Sequence, residues 1–152
     1  MAAAGKFKLY NTAKLKIGQS IIDLDGHTFK MALFLSTSNC NTLTYDEYAD
    51  LTNEVANGNG YTTGGVTMTA VTLTNSSGTI TFDSDNVEWN VTGAGITARF
   101  AVIYDDSVAG DPLLAVFLLD ATPADVTGIA GDIIQVSINA SGIFTMSGAT
   151  TD

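Results

Sequence analysis

The chain of 152 residues holds one cysteine, one histidine, one tryptophan and two prolines, and only 14% of its residues are charged. A single cysteine, Cys40, cannot form an intramolecular disulfide, so the fold suits a reducing compartment such as a cytoplasm and no cysteine pair is available for zinc. Nucleophilic catalysis usually pairs Ser, Cys or Thr with a histidine base. His27 follows Asp25-Gly26, which predicts a solvent-exposed turn, and Cys40 reads as a small residue in a Ser-Asn-Cys-Asn loop. Long apolar runs are missing too. The longest, Met31 to Leu35 and Leu113 to Leu119, are strand-sized, well short of the roughly 18 to 20 residues that cross a bilayer as a helix. The opening MAAAGKFKLYN lacks the apolar stretch of a secretory signal, so no passage through a membrane is expected. Sequons at Asn75, Asn90 and Asn139 are what chance provides in a chain so rich in Asn, Ser and Thr.

Positive charge is scarce after the first thirty residues. Residues 1–30 hold five lysines against Asp23 and Asp25, a net of +3, whereas residues 31–152 set Arg99 against 14 carboxylates, a net of −13. The expected layout is an extended basic arm over residues 1–18 on an acidic single domain over residues 19–152. An acidic body repels nucleic acid and anionic membrane, so neither is an expected partner.

What is abundant is Gly, Thr, Ser and Asn between short apolar segments, the composition of strands and turns. Ala13–Ile17 alternates as a half-buried strand would. Gln19–Leu24 reads as a strand turned by Asp25-Gly26 into Thr28–Leu35. Thr44-Tyr45-Asp46-Glu47 fits a capping box and predicts a short helix from Tyr45 to Leu51, within a helical insertion near residues 44–55. Strands are then expected at Val66–Thr74, with a bulge at Ala70-Val71, and at Thr79–Phe82, Val87–Val91, Ile96–Asp105 and Leu113–Asp120, the last covered on both faces. Ile133–Ile138 and Ile143–Met146 read as a closing hairpin. Eight to ten strands with one short helix predict an all-β, antiparallel sandwich or jelly roll.

Three patterns could carry chemistry. Asp83, Asp85 and Glu88 lie close enough in sequence to hold a calcium ion, as do Asp105, Asp106 and Asp111, but neither set has the spacing of an EF-hand, and both read first as solvated turns. Gly58-Asn-Gly60-Tyr-Thr-Thr-Gly64-Gly65 lacks the Lys-Ser/Thr of a phosphate loop and predicts a tight turn or a close backbone approach. Trp89, Phe82, Phe100, Tyr104 and Phe117 fall in apolar phases and read as core; a sugar-binding platform would need them exposed. No catalytic residues, metal or cofactor are expected. Binding is expected at Lys6, Lys8, Tyr10, Lys14 and Lys16 on the arm and at Asn39, Asn41, Asn59 and Tyr61 in the loops 36–44 and 57–65.

Read in order, Phe29-Lys-Met-Ala-Leu-Phe-Leu-Ser36, Tyr45 to Val55, Gly60-Tyr-Thr-Thr-Gly-Gly65, Phe82-Asp-Ser-Asp-Asn-Val-Glu-Trp89 and Ile96 to Asp105 resemble a family of small structural proteins of tailed phages, with Pro112–Ala115 and Gly142–Phe144 as weaker echoes. The likeness spans residues 28–120. It implies a virion protein present in many copies without an active site, similar to capsid decoration or cement proteins that sit as homotrimers at capsomer junctions on the major capsid protein. A tail or tail-adaptor component is the nearest alternative. A carbohydrate-binding head-fibre module and a glycoside hydrolase are alternatives of other classes.

Overall fold

Two apolar runs organise the molecule. In a computed structural model, which describes residues 4–148, strands β2 (Phe29–Phe34), β8 (Phe100–Asp105) and β9 (Leu113–Leu118) lie side by side and are buried along almost their whole length. Near-continuous burial requires cover on both faces, which explains why these runs do not alternate with polar residues. They form the centre of a five-stranded antiparallel sheet in the order β1-β9-β8-β2-β3, with β1 at Lys8–Leu9 and β3 at Val66–Thr67. β8 and β2 pair along six residues, from Phe100 with Phe34 to Asp105 with Phe29.

Smaller antiparallel sheets complete the mainly β, sandwich-like architecture. β4 (Thr72–Ser76), β5 (Thr79–Asp83) and β12 (Phe144–Ser147) form one in the order β12-β5-β4. β6 (Val87–Asn90) pairs with β11 (Ile133–Val136), and β7 (Ile96–Ala98) with β10 (Val126–Gly128). Phe29 of the large sheet meets Phe82 of β5 edge-on at 5.3 Å between ring centroids, and Phe82 in turn packs on Phe144 at 5.2 Å. Trp89, Phe82, Phe100, Tyr104 and Phe117 are all in this core, as their apolar phases predict.

Several segments differ from the sequence reading. Val66–Thr74, expected as one strand, divides into β3 and β4, and Ile96–Asp105 into β7 and β8, the members of each pair lying in different sheets. Residues 11–18 form an α-helix, α1 (Asn11–Gly18), where alternation suggested a strand. Its inner side carries Ala13, fully buried, with Lys16 and Ile17 half-buried, the i, i+3, i+4 spacing of a helical face, while Leu15, which alternation would put inside with Ile17, is exposed. With β1 in the large sheet, Gly5 N–H bonded to the Leu118 carbonyl at 2.8 Å and Tyr10 fully buried, residues 5–18 are part of the body and not a separate extended arm. Gln19–Leu24 is turn and bend instead of a strand. The helix expected at Tyr45–Leu51 is a single 3₁₀ turn, Tyr48–Asp50, because Glu54 must return to bridge Phe34 and Val55 N–H bonds the Leu33 carbonyl at 2.9 Å. β11 and β12 do not form a hairpin with each other; each pairs with an earlier strand.

The glycine-rich stretch makes the close approaches its composition predicts. Gly65 has φ +77 and lies against the Met31 carbonyl of β2, and Gly60 at φ +91 lies against the Asn90 carbonyl. A side chain at either position would collide with backbone, and L-residues resist that φ. No helix among the described residues is long and apolar enough to cross a membrane.

Candidate functional site

The six cations divide into two groups. Lys16 is 2.6 Å from Asp46, Lys30 is 3.0 Å from Asp106 and Arg99 is 2.8 Å from Asp125. Lys6, Lys8 and Lys14 are exposed and, among the described residues, face no carboxylate; Lys8 Nζ reaches only Asn41 Oδ1, at 3.4 Å. All three belong to the segment that enters the large sheet through β1 and continues into α1. Lys6 and Lys8 stand two residues apart along an extended chain and so share its outer side, while Phe7 and Leu9 pack inward on the core. Leu15 is also exposed on α1, at 59%, as is Ile21 beyond it at 40%. The first twenty-one residues thus carry three exposed lysines and two large exposed apolar side chains on a chain of net charge −10.

Asn41 is exposed beside Lys8, and the remaining residues expected to bind have structural duties. Tyr10 is fully buried and its hydroxyl donates to the Cys40 carbonyl at 2.6 Å, so it is not a surface contact. Tyr61 is buried as well; its hydroxyl donates to Glu54 Oε1 at 2.6 Å and accepts from Leu33 N–H at 3.0 Å. Asn39 braces its loop, donating to the Asp50 carbonyl and accepting from Thr52 N–H at 2.8 Å. Asn59 accepts from Ala94 N–H at 3.0 Å and clamps the 57–60 turn onto residues 92–95. Lys16 is committed to Asp46, whose carboxyl this contact holds below the usual carboxylate range.

Two polar constellations are invisible in the sequence. Asp105, at the end of β8, is the one fully buried carboxylate among the described residues; its Oδ2 is 2.6 Å from His27 Nδ1, and its Oδ1 accepts from Ser107 N–H at 2.9 Å. His27 is therefore a half-buried anchor that ties the 23–27 turn to the large sheet, not an exposed turn residue. Around Glu54, Tyr61 donates to the carboxylate, Gly64 N–H donates to the same oxygen at 2.7 Å, and Tyr104 donates to the Gly64 carbonyl at 2.7 Å. Tyr48 stacks on Tyr104 with centroids 4.3 Å apart. Burial, and after it the Glu54 charge, hold the Tyr48 and Tyr61 phenols well above the ordinary tyrosine range. The Tyr61 and Tyr104 hydroxyls, spent on backbone and on the Glu54 carboxylate, and the Tyr48 ring, whose buried hydroxyl has no hydrogen-bond partner among the described residues, fasten the 36–65 excursion to β2 and β8.

The acidic groups go separate ways. Asp83 Oδ1 accepts from Ser84 N–H, Asp85 from the Thr69 hydroxyl and Glu88 from the Gln135 amide. Asp106 is taken by Lys30. Among the described residues, no three His, Cys, Asp or Glu side chains gather in a metal-ligand arrangement. Three surface depressions, at Ile17–Leu24 with Leu73 and Met146, at Leu119 with Val126 and Val136, and between Ala4–Phe7 and Ile143–Thr145, contain one carboxylate between them, Asp23. Paired acid and base carboxylates in one of these depressions are thus missing.

No protein-family model, curated protein or solved structure matches this chain. Its chemistry must be read from its own surface, and there the exposed Lys6, Lys8 and Lys14 are the feature that remains unspent after every internal contact is assigned.

Proposed function

We propose that this chain is a structural protein of a tailed-phage particle that works by binding other proteins, and that it is a capsid decoration or cement protein carried by the virion as a homotrimer on the major capsid protein. The observation that carries the reading is the contrast among the cations: three are neutralised by carboxylates within the fold, and Lys6, Lys8 and Lys14, all within the first fourteen residues, are left exposed on an otherwise acidic molecule. Unspent charge of the minority sign steers a protein toward acidic surfaces, and steering acts mainly on the rate and specificity of encounter. Leu15 and Ile21 supply exposed apolar area in the same stretch of chain. The resemblance of residues 28–120 to small phage structural proteins gives the partner its identity.

A cement protein that binds only the expanded lattice stabilises it by mass action, by about 2.7 kcal/mol per site when the free protein is at 100 times its dissociation constant. Reversing Lys6, Lys8 and Lys14 to Glu should leave the isolated protein folded, because all three are exposed, and should abolish its recovery on purified particles. Raising salt should weaken the wild-type association as the Debye length shrinks from about 10 Å at 0.1 M to about 3 Å at 1 M. Full occupancy by the triple variant would overturn the reading. Copy number fixes the address: hundreds per particle place the protein on the shell, and a few to some dozens place it in the tail.

A further inference from the structure

β1 ends the large sheet and β12 ends the three-stranded one. Between them lies a groove of about 730 Å³, walled on one side by residues 4–7 and on the other by residues 141–145. Its size falls within the roughly 300–1,000 Å³ of ordinary ligand sites. Phe7, packed on Phe117, and Phe144, packed on Phe82, stand half-buried on opposite walls.

Both walls are strand edges with backbone groups to spare. Tyr10 N–H bonds the Leu114 carbonyl at 3.1 Å and Lys8 pairs with Val116, so these alternate residues turn their backbone groups to β9. Phe7, next to Lys8 and out of that phase, turns its N–H and C=O away from β9, and neither has a partner among the described residues. On the other wall the phase follows from the β4–β5 turn, Ser77-Gly78, with φ 50 and 82. In such a two-residue turn the flanking Ser76 and Thr79 exchange both backbone bonds. Thr79, Thr81 and Asp83 therefore bond β4, while Ile80 and Phe82 bond Met146 and Phe144 of β12. Thr145, exposed, is left with its N–H and C=O directed outward.

Charge selects what fits there. Lys6 lies in the wall, Lys8 is the next residue on the same outer side, and neither meets a carboxylate among the described residues. No Asp or Glu lines the groove, and of the three depressions described above it is the one that holds a cation. We propose that the groove takes an extended acidic segment of a partner protein as an added strand, bonded through its backbone to Phe7 and Thr145, with its carboxylates on Lys6 and Lys8. In strand addition main-chain bonds supply affinity and contacts to alternate side chains supply specificity. Unpaired edges on both walls call for a peptide backbone, and the lysines call for a negative one. The inference rests on the proposed function and deepens it, since it states how the acidic partner is held.

A capped peptide of about eight residues, extended by about 3.3 Å each, alternating valine and threonine with glutamate at two central polar positions, tests this by amide resonance titration of the full chain at low salt. Saturable shifts are expected at the Phe7 and Thr145 amides. The same peptide with lysine in place of glutamate should bind about tenfold more weakly, because attraction at two lysines becomes repulsion, and Lys6→Glu should narrow or invert that preference. Thr145→Pro removes an outward N–H and leaves the β5 ladder intact, as proline on an edge strand does; it should weaken binding several-fold at an unchanged melting temperature. N-methylation of the central peptide amides should weaken binding to the unaltered protein, a result independent of how any variant folds. Absence of saturable binding, equal affinity for the lysine peptide, or binding that survives both Thr145→Pro and N-methylation would overturn the inference. Each of those outcomes leaves the proposed function standing, because that reading is judged by recovery on particles.

Discussion

Tyr10 decides whether the first eighteen residues are an appendage or part of the body. Its side chain is fully buried, its hydroxyl donates to the Cys40 carbonyl at 2.6 Å, and its backbone N–H bonds the Leu114 carbonyl of β9 at 3.1 Å. Tyr10→Phe keeps the ring and strands one buried carbonyl, a loss of about 1–3 kcal/mol. Tyr10→Ala also removes the ring. An aromatic side chain of this kind buries about 200 Å², worth about 5 kcal/mol at 25 cal/mol/Å², in line with the about 3–5 kcal/mol typical of aromatic truncation in cores. In a protein of this size each kcal/mol moves Tm by about 2–4 °C. Tyr10→Phe should thus lower Tm by about 2–10 °C and Tyr10→Ala by about 10 °C or more, with Lys14→Ala as an exposed control inside about 0.5 kcal/mol. Urea unfolding followed by circular dichroism, checked for two-state behaviour, measures all three. A Tyr10→Ala variant as stable as the control would refute the placement of residues 5–18 in the core and restore a detached arm. By the same reasoning, deleting residues 1–18 should unfold the domain, since it removes β1, α1 and Tyr10 together.

Other consequences follow from the buried groups. Burial pushes the Cys40 thiol up to about 11, so a thiol reagent at pH 8 should label it slowly and faster as denaturant is added; prompt labelling of the native protein would contradict its burial. Burial likewise raises the phenols of Tyr10, Tyr48, Tyr61 and Tyr104. The folded state therefore holds these protons more tightly than the unfolded chain, and the stability they contribute is complete below about pH 10 and declines as pH rises beyond it. Phenolate absorbance from these four should appear together with unfolding, and their ionisation in a protein of native circular dichroism would count against the cluster. His27→Ala leaves the buried Asp105 carboxylate with the Ser107 amide as its remaining partner and should cost about 2–4 kcal/mol in urea titrations; a change within about 0.5 kcal/mol would deny the pair a structural role. Gly65→Ala meets both an unfavourable φ and the Met31 carbonyl and should cost about 2–4 kcal/mol, whereas an unchanged midpoint would mean that β2 and the loop separate easily.

The sequence was most legible where local pattern and global burial agree. Thr28–Leu35 and Leu113–Asp120 read as strands, the second covered on both faces because its apolar residues run on without alternation, and the structure buries both runs along almost their whole length. Five residues of alternation at Ala13–Ile17 could not distinguish a strand from a helical face, and tertiary packing of Ala13 and Ile17 chose the helix. The acidic run after Thr44 carries helix-start chemistry, and Asp50 Oδ2 does accept from Glu47 N–H at 3.1 Å. The turn stops after three residues because the chain is needed at Phe34. Partner choice was hidden at the C-terminal end, where a period of two specifies which face of β11 and β12 is buried and says nothing about which strand lies alongside.

The exposed cations were legible to a similar depth and for a similar reason. Counting lysines and carboxylates locates a basic segment, but only folding determines which lysines are free, since Lys16 and Lys30 meet Asp46 and Asp106 from distant parts of the chain. The same holds for polar residues in loops. Asn39, Asn59 and Tyr61 have the composition of a binding surface and are used up internally, Asn39 within the 36–65 excursion, Asn59 on Ala94 and Tyr61 on Leu33 of β2. A binding surface is what remains when such internal demands are met, and subtracting them leaves Lys6, Lys8 and Lys14, with Leu15, exposed.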